Sequence, residues 1–169
     1  MGLRRLSMAL AVVWLAAAPA GAQEPEDVLR ACRRTDLIGL WQVIRFGFAS
    51  GAAVDRTDPA YRPHQRYVFN SNATMAYVAS ATLPTLEEER ALAGASAAVT
   101  WALDAEGRLL RQRPGATRLD TSECRVVTRP LRDPRSPVPA LAGDVLLTEQ
   151  GEDARPIARR LLRKVPSAE

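Results

Sequence analysis

The stretch Asp36-Leu37-Ile38-Gly39-Leu40-Trp41-Gln42-Val43 decides how the rest of the chain reads. Before it, residues 25–34 have helical character. Pro25 suits a first helical turn, Glu26 and Asp27 suit its positive end, and Val28, Leu29 and Cys32 share one face. Thr35-Asp36 ends that helix. After it, residues 40–48 are rich in β-branched and aromatic side chains and read as a strand. Gly39 stands where the period changes, and glycine lets the chain bend tightly into the strand.

Working outward, the strand pattern continues to the C-terminus. Residues 50–63 form a loop containing Gly51, Pro59 and Pro63. Residues 65–69 and 74–80 are two strands joined at Asn70-Ser71-Asn72-Ala73, a hairpin signal. Thr85-Leu86-Glu87-Glu88 is a capping-box pattern that opens a short inserted helix over residues 86–93, closed by Gly94. Further strands are expected at residues 97–103, 108–112, 116–119, 123–128, 144–149 and 157–165. A loop with four prolines fills residues 130–143. The fold class is therefore mainly β and antiparallel, a barrel or a sandwich.

Two motifs bear on that choice. Gly39-Leu40-Trp41, reached through a short helical turn, resembles the first strand of lipocalin-like proteins. Residues 66–75, Arg-Tyr-Val-Phe-Asn-Ser-Asn-Ala-Thr-Met, resemble a strand, turn and return strand common in bacterial members of that group. Ala73 replaces the usual turn glycine, which would leave Asn72 to carry the left-handed conformation. The resemblance implies a small calycin-type barrel of about eight strands, with a short N-terminal helix and one inserted helix. It also implies that Trp41 closes the barrel floor and that an arginine of the last strand, Arg160 or Arg163, packs over its ring.

Upstream, two arginines at positions 4 and 5 precede an apolar run over residues 6–18, and Ala20-Gly21-Ala22 follows. This is the order of a secretory signal, with cleavage expected before Gln23 and residues 23–169 forming one domain. The apolar run is too short to span a bilayer, so no membrane anchor is expected after cleavage. The Ala-, Arg- and Pro-rich composition suggests a bacterial source and hence the periplasm. Beyond the signal the chain holds 21 basic and 19 acidic residues, a net charge of +2, which makes no case for nucleic acid. The arginines of residues 155–164 read as the solvated face of a strand. The two cysteines, Cys32 and Cys124, are expected to form one disulfide in an oxidising compartment.

Catalytic chemistry has little to work with. His64 is the one histidine, and it reads as a solvated loop residue. No glycine-rich phosphate loop, nucleophile elbow or metal-ligand spacing is present, so no enzyme activity, cofactor or metal is expected. The leading expectation is a binding protein for a small apolar or amphipathic ligand. Phe46, Phe48, Tyr67, Phe69, Met75, Tyr77 and Trp101 are the candidate lining. The alternative is a non-catalytic interaction protein, either an accessory subunit or one similar to the bacterial periplasmic protease inhibitors. It would dock through its N-terminal segment or the proline loop.

Overall fold

A computed structural model of the chain describes residues 28–94, 98–134, 136–151 and 153–166. The expected signal segment and residues 23–27 lie outside them. The elements run β1 (Leu29–Ala31), α1 (Arg34–Leu37), β2 (Gly39–Phe48), β3 (His64–Phe69), β4 (Thr74–Ser80), α2 (Leu86–Gly94), β5 (Val99–Leu103), β6 (Arg108–Gln112), β7 (Asp120–Val127), β8 (Val145–Gln150) and β9 (Pro156–Lys164).

Each strand from β2 to β9 pairs antiparallel with the next, and β9 returns to β2. Eight strands thus close a barrel in up-and-down order, which removes the free edges that an open sheet would expose. The register places Trp41 opposite Tyr67 and Lys164, and Tyr67 opposite Tyr77. A bulge between Val43 and Arg45 re-aims the second half of β2, so that Phe46 rather than Arg45 points inward opposite Arg160.

The N-terminal helix expected over residues 25–34 is not formed in its described part. Leu29–Ala31 is a strand, paired antiparallel with Arg125, Val126 and Val127 of β7. The helical turn comes later, at Arg34–Leu37. The override is tertiary: Cys32 is bonded to Cys124 on β7, with Cα atoms 5.5 Å apart, and its N–H donates to the Cys124 carbonyl at 3.2 Å. Gly107, in the β5–β6 turn, makes room for this segment. Its φ is +76°, and a Cβ there would stand 2.8 Å from that of Ala31.

Other expectations shift less. Residues 116–119 turn instead of forming a strand, and β7 starts at Asp120. His64 opens β3 and is half-buried, so it is not a loop residue. The capping box forms: Thr85 Oγ1 accepts from Glu88 N at 3.2 Å, and Thr85 N donates to the Glu88 carboxylate at 2.7 Å. The resulting helix α2 is tied to the outer face of β3 by Arg66 and Glu89, 2.7 Å apart. In the β3–β4 turn the left-handed residue is Ala73 (φ 65°), not Asn72. Asn72 instead uses its side-chain oxygen to accept from Thr74 N at 3.1 Å and Thr74 Oγ1 at 2.7 Å, which pushes the positive φ onto its neighbour.

Candidate functional site: the barrel mouth

The inward face of the barrel is divided along its axis. At one end Leu37, Trp41, Phe69, Leu109, Cys124 and Leu162 are buried together. Trp41 is the centre of this floor: its ring is 1 % exposed and its indole N–H donates to the Leu37 carbonyl at 2.6 Å. The cation facing the ring is Lys164, 5.7 Å from its centre. Neither expected arginine is there. Lys164 is the register partner of Trp41, whereas Arg160 lies farther along β9 and Arg163 points outward to bond Asp144 at 2.7 Å.

At the other end the same inward positions become polar. Along β9, Ala158, Arg160 and Leu162 share a face. Arg160 is 4 % exposed, so the expected solvated face does not include it. Its Nε donates to Gln65 Oε1 at 2.7 Å and its Nη1 to Glu149 Oε2 at 2.6 Å. The Gln65 amide in turn donates to the Arg62 carbonyl at 2.9 Å. This chain of bonds crosses the barrel from the β2–β3 loop through β3 and β9 to β8. Burial works against the Arg160 charge, but the Glu149 carboxylate bonded to it favours the protonated guanidinium.

The β2–β3 loop folds over this end. A 3-10 turn at Pro59–Tyr61 is capped by Asp58, whose carboxylate accepts from Ala60 N at 2.8 Å. The Tyr77 hydroxyl donates to the Ala60 carbonyl, pinning the loop to β4. Tyr61 stacks on Phe46 with ring centres 5.8 Å apart and meets Phe48 edge-on at 5.0 Å. The Arg160 guanidinium lies 4.9 Å from the Phe46 ring and 5.6 Å from that of Tyr61.

Beneath the loop is a cavity of about 410 Å³. Tyr61, Tyr67, Tyr77, Met75 and Val99 supply its rings and apolar wall, and Arg111, Arg113, Arg160, Asp120 and Glu149 supply its charges, with Asp58 at the rim. Arg113 pairs with Asp120 at 3.0 Å. Arg111 donates from Nη2 to Ser122 Oγ at 3.1 Å, while its buried Nε has no hydrogen-bond partner. Burial raises the pKa of the Tyr61, Tyr67 and Tyr77 phenols, which stay neutral donors at physiological pH. A wider groove of about 960 Å³ lies alongside, walled by residues 48–53 and the β8–β9 turn. Its ion pair, Asp153 with Arg155, is exposed, in contrast to the buried Arg160 of the mouth cavity.

The seven candidate lining residues therefore separate. Tyr67, Met75 and Tyr77 line the cavity. Phe46 and Phe48 form the ring cluster behind Tyr61. Phe69 and Trp101 are packed edge to face, 5.3 Å apart, within the core. Tyr61, Gln65, Arg111, Asp120 and Glu149 were not foreseen from sequence. For two of them the signal is a charge at an inward strand position, Arg111 two residues after Leu109 and Glu149 two after Leu147, and Arg160 between Ala158 and Leu162 carries the same signal.

Among the described residues no cluster of His, Cys, Asp and Glu has the geometry to hold a metal, and no helix is long and apolar enough to cross a membrane. No protein-family model, curated protein or solved structure matches the chain.

Proposed function

We propose that this is an exported binding protein that holds a small amphipathic molecule in the mouth of its barrel. One observation carries the reading: a cavity of about 410 Å³ in which tyrosine rings and charged groups, the buried Arg160 among them, converge under a pinned loop. Ligand sites are concave, mostly apolar, and fixed in specificity by a few convergent polar groups. The packed core around Trp41 and Phe69 favours the mouth over the floor as the binding site. The charged lining favours an amphipathic over a wholly apolar ligand. Export to the periplasm is supported by the signal-like first 22 residues and agrees with the disulfide.

A second reading, docking on another exported protein, draws on the proline loop. A bridge between Leu131 and Ala140 shapes that loop, and Leu131 and Leu141 stand exposed on it. Native mass spectrometry of the protein taken from its own host separates the two. An adduct of small-molecule mass that is lost on denaturation supports the barrel-mouth reading. A stoichiometric protein partner and no adduct would replace it with the docking reading. The same spectrum reports whether the chain starts at Gln23.

A further inference from the structure

We propose that Arg111 is the recognition residue of an anion subsite in the barrel mouth, and that the ligand presents a single carboxylate to it. The proposal rests on the reading that the mouth binds a ligand, and it names the chemistry of that ligand.

The backbone places the side chain. Arg111 faces Trp101 across β5–β6 and Asp120 across β6–β7, two residues beyond Leu109, which is fully buried. The alternation of β6 thus sends the guanidinium into the cavity. There its Nε is buried and unbonded. A buried charged donor without a partner is unfavourable, so the fold alone does not satisfy this guanidinium.

The charges around it decide what would meet it. Arg160 is paired with Glu149 and Arg113 with Asp120. Asp58 is engaged at the rim with Ala60 N. Arg111 forms no ion pair among the described residues, and Ser122 is neutral. Arg111 is thus the one cation of the described lining without a carboxylate partner, and a single negative charge would pair with it, while the Asp58 carboxylate keeps its own charge at the rim. A dianion such as a phosphate monoester would bring a surplus charge up to Glu149 and Asp120, where repulsion is strong in a partly dry site. Tyr67, beside Arg111 and kept neutral by burial, adds a hydroxyl. The Tyr67, Tyr77, Met75 and Val99 wall accepts the uncharged body of the ligand, and a flat ring would meet it with little loss of conformational freedom.

The test uses the full mature protein and isothermal titration at neutral pH and low salt. The probes are 2-naphthoate, its neutral analogue 2-naphthylmethanol, and 2-naphthyl phosphate. The expected result is that naphthoate binds at least tenfold more tightly than naphthylmethanol and more tightly than the phosphate. Arg111→Gln should remove the preference for naphthoate and leave the alcohol within about twofold. Equal binding of naphthoate and the alcohol by the unaltered protein would overturn the anion subsite while leaving a ligand-binding mouth. Tighter binding of the phosphate would overturn the single-carboxylate assignment. Undiminished naphthoate binding by the Arg111→Gln protein would overturn the role of that residue. No binding of any probe at millimolar concentration would overturn the mouth reading and this proposal with it. Should Arg111→Gln fail to fold, the comparison of probes on the unaltered protein decides.

Discussion

The ammonium group of Lys164 lies 5.7 Å from the centre of the Trp41 ring, and the two residues face each other across β2 and β9. The lysine stem reaches the ring across Gly39. A Cβ on that glycine would stand 2.9 Å from Lys164 Cε, and the glycine φ of +127° is one that other residues rarely adopt. Gly39 and Trp41 are thus coupled through the last strand. Gly39→Ala is expected to destabilise the protein by about 1–3 kcal/mol through backbone strain. Lys164→Met should cost no more than about 1 kcal/mol, because the cation is exposed. Urea unfolding of both variants checks this ordering. A Gly39→Ala protein with an unchanged midpoint would contradict it.

Arg160 spans three strands through Gln65 and Glu149. Removing the guanidinium leaves two acceptors without their donor in a largely buried site. Arg160→Leu is expected to cost about 3–5 kcal/mol, in line with breaking one side of a buried pair. Glu149→Leu in the Arg160→Leu background should restore part of that loss. A double-mutant cycle from thermal melts gives the coupling, and strict additivity would show that the two side chains do not depend on each other.

Ala73 holds a positive φ that glycine adopts without strain. The turn is kept by Asn70 N donating to the Thr74 carbonyl at 2.8 Å and Trp101 N donating to the Ala73 carbonyl at 2.9 Å. Neither bond involves a side chain of residue 73. Ala73→Gly should therefore stabilise the fold, by roughly 0.5–1 kcal/mol after the entropy of the added glycine is counted. A lowered melting temperature would mean that the Ala73 methyl group makes a contact worth more than the strain.

Asp36 takes two hydrogen bonds from the Arg30 guanidinium, at 2.7 and 2.8 Å, and one from Arg33 N at 2.7 Å. The Arg30 bonds, with help from the Arg33 amide, hold its pKa below the usual carboxylate range. Its contribution is complete above the unfolded-state value of about 3.9 and is lost as pH falls through the lower folded-state value. Asp36→Asn should be less stable than the parent at neutral pH, and the gap should narrow below about pH 4. The pair is partly exposed, so added salt should shrink the gap as well. Melting curves from neutral to acid pH report it, and a constant gap would place the effect elsewhere.

The Cys32–Cys124 bond joins residues 92 apart in the chain. In the chain-entropy account a loop of that length contributes about 4–5 kcal/mol. Replacing both cysteines with serine should lower the melting temperature by roughly 10 °C or more. The largest loss of amide-exchange protection is expected in β1, which the bond anchors to β7. Unaltered protection there would show that strand pairing alone holds β1.

Much of the barrel could be read along the chain. The hairpin at residues 65–80, the capping box at Thr85 and Glu88, and the strand Arg108–Gln112 all obey local rules, so period and turn chemistry find them. Local rules failed where a distant partner prevailed. Leu29–Ala31 has the spacing of a helix and is a strand, since the disulfide brings it to the edge of β7 that β6 leaves free. The candidate site was half legible for a related reason. Aromatic residues announce a barrel interior, whereas Arg111, Glu149 and Arg160 resemble surface charges until the strand phase is known.

The sequence by itself determined the β class, the single disulfide, and a tight glycine bend into a tryptophan-bearing first strand. These follow from side-chain period, cysteine number and backbone freedom, which are local. Only the tertiary structure decided that β9 closes on β2, that Lys164 rather than an arginine covers Trp41, and that charge gathers at one end of the barrel. Those outcomes depend on register, and a shift of one residue turns every side chain of a strand to the opposite face. The bulge between Val43 and Arg45 is such a shift, and it brings Phe46 and Arg160 together at the mouth.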